Sequence, residues 1–168
     1  MNWKELLSKG DRKEVANGRL AAKHLLADMS SSADLFDCML QHRQSSSVVS
    51  HGFYALKEAS SNSEAIRRLS LEFGLRHLTC FEQWEARENF IRIALIKIDF
   101  DSDLYEMIAA MANDKSSIVQ AYAAEYLIRY NHQYFPGGLL DFIQKFDRLD
   151  MKAAGRARVR KIKRSVGL

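Results

Sequence analysis

The sequence of 168 residues predicts an all-α protein. The chain contains a single proline, Pro136, and no Asn-Gly or Asp-Gly pair lies between alternating apolar runs, where a hairpin turn would need one. Strong helix formers dominate the segments between its polar breaks. Apolar residues recur at spacings of three and four in segments of about 10 to 18 residues, the pattern of a helix with one apolar face. We therefore expect helices joined by short connections.

Serine-rich breaks divide the first half of the chain into predicted helices. A short helix is expected to begin near Trp3 and end near Gly10. Asp11 is expected to cap the next helix, because Glu14 follows it at the spacing of a capping box. Serine runs separate the helices that follow, at residues 30–32, 45–47 and 60–63.

The second half of the chain predicts longer helices. A very apolar helix is expected over residues 84–98, and Asp101 or Ser102 can cap a helix over 104–111. Ser116 or Ser117 can cap a third helix that reaches residue 130. Beyond the break at Pro136, two further helices are predicted, over residues 139–146 and 151–166.

A pattern recurs between the second helices of successive predicted pairs. Residues 119–127 align with residues 86–94, and more loosely with segments that begin at residues 49 and 154. The successive offsets are 37, 33 and 35 residues. A period in this range is typical of helical-repeat solenoids, because each helix pair needs a neighbour to bury its apolar face. The pattern therefore favours one repeat array in a single domain, residues 1–168.

Residues 114–127 resemble the second half of a HEAT-like repeat, with a capped polar turn, Val119, a polar residue, small residues and then Leu127. Residues 153–162 are similar to the closing helix of such arrays. The resemblance is best over residues 101–133 and weaker over residues 63–100 and 136–166. It departs from the family pattern at Gln120, where arginine is usual, and no proline begins each helix pair. Resemblance to this α-solenoid family implies a right-handed α-α superhelix of about five antiparallel helix pairs. It implies a binding surface without naming a partner.

Motifs of several site classes are incomplete in this chain. Residues 99–103 begin like a calcium loop, but Leu104 and Ala110 stand where that loop needs glycine and an acidic residue, so a helix cap is favoured. Cys38 and His42 lie four residues apart on a predicted helix, yet no two further zinc ligands are spaced to join them. No glycine-rich phosphate loop is present. We expect a non-enzyme with no metal site and no small-molecule cofactor.

The two cysteines and the N-terminal segment predict a cytoplasmic protein. Cys38 and Cys80 lie inside apolar helical patterns without a partner spacing, so buried free thiols in a reducing compartment are expected. The first residues are charged and lack the apolar stretch of a signal peptide. No apolar run approaches the ~18 residues of a membrane span, so no membrane partner is expected.

Positive charge is concentrated at the C-terminal end. Residues 151–168 contain seven Lys and Arg and no acidic residue, so the remainder of this +4 chain carries a net charge of −3. The final helix can serve as a solubilising cap, contact nucleic acid, or dock to an acidic protein or anionic membrane. The residues assigned to nucleic-acid binding are Arg156, Arg158, Arg160, Lys161, Lys163 and Arg164.

Four tyrosines follow one another at intervals of four, from Tyr122 to Tyr134, and Phe135 comes directly after the last of them. This spacing places them on one helix stripe, and a packed core stripe is favoured over a base-stacking surface. If the rings are exposed, they become interface anchors, because tyrosine dominates binding hot spots.

The function predicted first is a non-enzymatic helical-repeat module that binds a protein partner. Such a module could serve as an adaptor or as an immunity-type inhibitor of an effector or toxin. The polar positions expected to face the partner are Glu85, Arg87, Arg92, Gln120, Glu125 and Arg129. A HEAT-like nucleic-acid binder that uses the basic final helix is the alternative.

Overall fold

The protein is all-α, as the sequence predicts. The structure, a computed structural model, describes residues 1–10, 15–147 and 153–167, without the side chains of residues 145–147 and 154. Within this part of the chain the regular elements are helices, and no strand occurs. The predicted cap at Asp11 and its partner Glu14 lie outside the described residues.

Two compact units divide the chain, residues 1–96 and 97–168. The first contains α1 (Trp3–Ser8), α2 (Ala16–Ala27), α3 (Ser32–Gln41), α4 (Ser46–Ser60), α5 (Glu64–His77) and α6 (Trp84–Ala94). The second contains α7 (Ser102–Ala110), α8 (Ser117–Tyr134), α9 (Leu139–Asp147) and α10 (Ala153–Ser165). Single 3-10 turns lie at Met29–Ser31, Leu78–Cys80, Met111–Asn113 and Pro136–Gly138.

Side-chain caps start the helices where the sequence predicts breaks. The Ser45 hydroxyl accepts a hydrogen bond from the Val48 amide at 3.4 Å, and Ser63 accepts one in the same way from Ile66 at 3.3 Å. The Asp101 carboxylate accepts one from the Leu104 amide at 3.0 Å. Each cap satisfies an amide that the helix leaves unbonded, which contributes about 1 kcal/mol. The helix-cap interpretation of the segment that begins at Asp99 is therefore confirmed.

Helix α4 forms the centre of the first unit. It packs against α1, α2, α3, α5 and α6, and most of its residues are buried. Phe53 of α4 lies edge-on against the ring of Phe81, with the ring centroids 5.3 Å apart. Full burial of a side chain such as Phe53 or Leu56 contributes about 1.5–3 kcal/mol. The core of this unit therefore surrounds one helix on several sides.

Helix α8 plays the corresponding part in the second unit, where it packs against α7, α9 and α10. The tyrosine stripe lies largely within this packing, because Tyr126 and Tyr130 are buried and Tyr122 and Tyr134 are partly covered. The predicted core stripe is confirmed for the two buried rings. Burial raises the pKa of Tyr126 well above its usual range, and the carboxylates of Asp99 and Asp101 add to the shift.

The cysteine prediction is correct for one thiol only. Cys38 is buried on α3, whereas Cys80 is exposed. Cys80 ends the 3-10 turn that follows α5, so the helical spacing that linked it to the core stops before it. Both thiols are free. None of the described helices combines the length and the apolar composition that a bilayer span would require.

Replacement of Gly74 by alanine should destabilise the first unit. A Cβ atom at this position would lie 2.1 Å from Cε2 of Phe90, whose side chain is fully buried. The ring must shift in a filled core, which outweighs the gain in helix propensity and should lower the free energy of unfolding by about 1–3 kcal/mol. Urea unfolding followed by circular dichroism measures this change.

Gly138→Ala is the matched control, because a Cβ atom there would have no neighbour within 4 Å. Its free energy of unfolding should stay within about 0.5 kcal/mol of the parent value. Equal stability of the two variants would contradict the close packing of α5 against α6.

Candidate functional site

The predicted partner-binding residues of the first unit lie on α6, half-buried rather than fully exposed. The Arg87 guanidinium donates to the carbonyl oxygens of Glu82 and Gln83, at 3.1 and 3.4 Å. The Arg92 guanidinium lies 3.2 Å from the Glu88 carboxylate, one helical turn away. Arg87 therefore braces the start of α6, and Arg92 forms part of a charged pair.

A cavity of about 280 Å³ opens beside α6 in the first unit. We call it the α6 cavity. Its wall consists of Val15, three residues of α4 (Ser50, His51 and Tyr54) and five residues of α6 (Trp84, Glu85, Glu88, Asn89 and Arg92). Two of the predicted partner-binding residues, Glu85 and Arg92, thus meet in one wall. The sequence did not indicate that these two residues lie beside α4. Tyr54, the α4 residue of the wall nearest to them in the chain, precedes Glu85 by 31 residues.

Buried polar groups distinguish this wall from an ordinary packing gap. Ser50 and Asn89 are 4% and 5% exposed. The Asn89 amide nitrogen donates to the Glu85 carbonyl oxygen at 3.0 Å. Its side-chain oxygen and the Ser50 hydroxyl oxygen have no hydrogen-bond partner among the described residues. An unsatisfied buried polar atom costs about 1–3 kcal/mol, so such atoms indicate a place where another molecule completes the bonding.

Burial changes the pKa of one carboxyl group in the wall, that of Glu88. Removal of the Glu88 carboxyl from water raises its pKa, and the neighbouring Glu85 adds to the rise, while Arg92 opposes it. The imidazole of His51 is almost fully buried, and its Nδ1 lies 2.7 Å from the Leu7 carbonyl oxygen. Because a carbonyl only accepts, Nδ1 carries the hydrogen in this contact.

The predicted residues of the second unit lie on α8, where two of them form a charged cluster with α10. Glu125 is buried, with 8% of its side chain exposed. Its carboxylate pairs with Arg129 at 2.6 Å and accepts from Nε of Arg158 at 2.6 Å. The Arg158 guanidinium also lies over the ring of Tyr122, 3.8 Å from its centroid. Glu125 thus faces α10, while Gln120 stays half-exposed and Arg129 exposed.

The Arg158 contacts orient the basic helix α10. Val159 and Ile162 form the buried face of this helix. Four cations of the predicted nucleic-acid set are exposed, and no acidic side chain of the described residues pairs with them: Arg156, Arg160, Lys161 and Arg164. Lys163 is half-buried. The structure therefore separates one anchoring arginine from four cations that face solvent.

An exposed aromatic cluster in the second unit is formed by Phe100, Tyr134 and Phe135. The sequence singled out Tyr134 and Phe135 as interface anchors if exposed, but it did not indicate Phe100. Phe100 is 68% exposed and Phe135 is 51% exposed. The Phe100 ring lies 5.2 Å from that of Tyr134 and 6.3 Å from that of Phe135, measured between centroids. The Tyr134 hydroxyl donates to the Ile98 carbonyl oxygen at 2.9 Å, which holds the cluster in place. Phe100 follows no helical spacing, so no periodic signal marks it.

No three His, Cys, Asp or Glu side chains within the described ranges come close enough together to hold a metal ion. Comparisons with protein-family models, with curated proteins and with solved structures find no match for this chain. Its function must therefore be inferred from the geometry of the surfaces above.

Replacement of Arg158 by alanine should loosen α10. Among the described side chains Glu125 would keep Arg129 as its cation, and a buried carboxylate that loses one of two cations becomes costly. Because Arg158 is about one-third exposed, the expected loss is modest, about 1–3 kcal/mol. Amide hydrogen exchange over residues 153–165 should become at least about fivefold faster.

Arg156→Ala is the control for this measurement, because it removes an exposed guanidinium from the same helix. Exchange over α10 should then match that of the parent protein. Unchanged exchange in the Arg158→Ala protein would contradict the anchoring role of this side chain.

Proposed function

We propose that this chain is a non-enzymatic helical-repeat module that binds a protein partner. On this proposal the helices form a HEAT-like array of about five antiparallel pairs over residues 1–168. An adaptor, or an immunity-type inhibitor that covers an effector or toxin, is the kind of role that such a module serves. Packed helices joined by short connections support the array.

The observation that carries the protein partner is the exposed aromatic cluster. Soluble proteins seldom leave adjacent large aromatic rings in water, and such groups commonly mark interaction sites. The rings rest on the buried Tyr130, 6.1 Å from Phe100 between centroids, so they are supported from below. Rigid, supported aromatics suit binding hot spots because they lose little conformational entropy on association.

Acidic residues near this cluster indicate the chemistry of the partner. Asp99 and Asp101 flank Phe100, and Asp103 follows on the first turn of α7. Lys97 lies 3.4 Å from the Asp99 carboxylate and offsets one of these charges. An apolar segment of a partner protein flanked by Lys or Arg would complement both the rings and the carboxylates.

Affinity capture followed by mass spectrometry identifies the partner, and binding is then measured with the two purified proteins. The double variant Phe100→Ser, Phe135→Ser should weaken binding by at least tenfold, because two exposed anchors lose their apolar contact. Leu26→Ser is the control, since Leu26 is a large apolar side chain, 43% exposed, in the first unit. Equal affinity of the double variant and the parent protein would refute the aromatic cluster as the interface.

The positions predicted from the sequence are tested with the same partner. Arg87→Glu combined with Gln120→Glu reverses or adds charge on α6 and α8 and should abolish capture if these helices face the partner. Retained binding would remove the Arg87 and Gln120 positions from the interface and leave the aromatic cluster as the proposed contact.

A second candidate function, nucleic-acid binding, is favoured by the four exposed cations of α10. Arg156, Arg160 and Arg164 follow one another at intervals of four, so they form one stripe along the helix. The distance between successive members is about 6 Å, close to the spacing of phosphates along a nucleic-acid strand. Such a stripe suits the backbone of a polyanion and reads no base sequence.

Fluorescence anisotropy with labelled single- and double-stranded DNA and RNA tests this function. Four exposed cations should give a slope of log K against log salt between about −2 and −4. Arg156→Glu with Arg160→Glu should abolish binding, whereas the control Lys23→Glu with Arg43→Glu makes the same change of charge on the first unit. No binding at ~50 mM salt would contradict the nucleic-acid function.

A further inference from the structure

Two surfaces of the second unit carry opposite charge. One is the exposed aromatic cluster, where Asp101 and Asp103 are acidic neighbours of Phe100. Neither of these carboxylates pairs with a cation of the described residues. The other surface is the outer face of α10, whose exposed cations have no acidic partner in the described part of the chain: Arg156, Arg160, Lys161 and Arg164. Each copy of the chain therefore presents both an acidic surface and a basic one.

The negative charge of the acidic surface acts on its aromatic rings. Tyr130 supports the cluster from below, with its ring centroid 6.1 Å from those of Phe100 and Phe135. Burial, the neighbouring tyrosines and the carboxylate of Asp101 raise the pKa of Tyr130. A cation placed over the exposed rings would therefore be attracted by the ring faces and by the carboxylates together.

One arginine of α10 already packs on an aromatic ring in this way. Arg158 lies over the ring of Tyr122, 3.8 Å from its centroid, while it pairs with the Glu125 carboxylate. A guanidinium group can do both because it is planar and weakly hydrated. The exposed aromatic cluster offers the same two features, ring faces and carboxylates, to an arginine from outside the molecule. The arginines that can supply it repeat at intervals of four and form the arginine stripe of α10: Arg156, Arg160 and Arg164.

We propose that the exposed aromatic cluster binds the arginine stripe of a second copy of this chain. Within one chain the two surfaces do not meet, because the rings and the stripe are both exposed. The contact is heterologous, since each copy contributes a different surface to it. The inference rests on the proposed protein-binding function of the cluster and names a partner for it. Because one helix stripe on one group of rings is a small contact, the association should be weak.

Sedimentation velocity of the purified, nuclease-treated full chain tests the proposal at protein concentrations between about 10 and 500 µM. The weight-average sedimentation coefficient should rise with protein concentration. The association should weaken severalfold when NaCl is raised from ~50 to ~500 mM, because salt screens exposed charges.

Two double variants each remove one side of the contact. Phe100→Ser with Phe135→Ser removes the rings, and Arg156→Glu with Arg160→Glu reverses the charge of the stripe. Each variant alone should associate at least tenfold more weakly than the parent protein. An equimolar mixture of the two variants should form a dimer, because the first keeps its arginine stripe and the second keeps its aromatic cluster. This recovery also shows that both variants are folded, since an unfolded copy offers neither surface.

Matched controls make the same chemical changes on the first unit. Lys23→Glu with Arg43→Glu reverses two exposed cations, and Leu20→Ser with Leu26→Ser removes two exposed apolar side chains. Both control proteins should associate as the parent protein does.

The proposal is overturned if the parent protein stays monomeric over this range, if either double variant associates like the parent, or if their mixture stays monomeric. Association that appears only without nuclease treatment also overturns it and indicates that a nucleic acid bridges the copies. A monomeric parent protein leaves the proposed function intact. That function fails separately, if the two phenylalanine substitutions do not weaken binding of a different, captured partner.

Discussion

Each unit depends on one helix that is covered on several sides. A surface helix needs a single apolar stripe, but α4 contacts five other helices and α8 contacts three. A helix in this position buries side chains around most of its circumference, polar ones included, as Ser50, His51 and Lys57 show. Every buried polar group then needs a partner from a neighbouring helix. Where the partner exists, the helices are held in register; where it does not, a polar cavity results.

Two buried charges have partners, one within its own helix and one that also pairs with a neighbouring helix. Arg67 is 1% exposed and donates to both carboxylate oxygens of Glu64, at 2.7 and 2.8 Å, which stabilises the first turns of α5. Glu125 pairs with Arg129 of its own helix and with Arg158 of α10. Such pairs add little net stability, yet they penalise any arrangement that separates them. In the second unit the Glu125–Arg158 pair turns Arg158 towards α8. Four other cations of α10 then remain exposed to solvent.

The α6 cavity illustrates the second outcome, since Ser50 and Asn89 are buried without completing their hydrogen bonds inside the described protein. The two surfaces of the second unit differ in chemistry. The exposed aromatic cluster with its carboxylates suits an apolar, basic protein segment, whereas the outer stripe of α10 suits a polyanion.

The sequence by itself determined the all-α fold and most helix starts, because spacing and capping are local properties that a few consecutive residues specify. Ser45, Ser63 and Asp101 cap as their positions predict. Only the tertiary structure decided which polar residues are buried. Arg158 and Glu125 are 33 residues apart, and no periodic pattern links them. Periodicity defines the apolar face of a helix, but packing between residues far apart in the chain decides which neighbour covers that face. For the same reason the sequence did not indicate that Cys80 is exposed or that residues of α4 and α6 line one cavity.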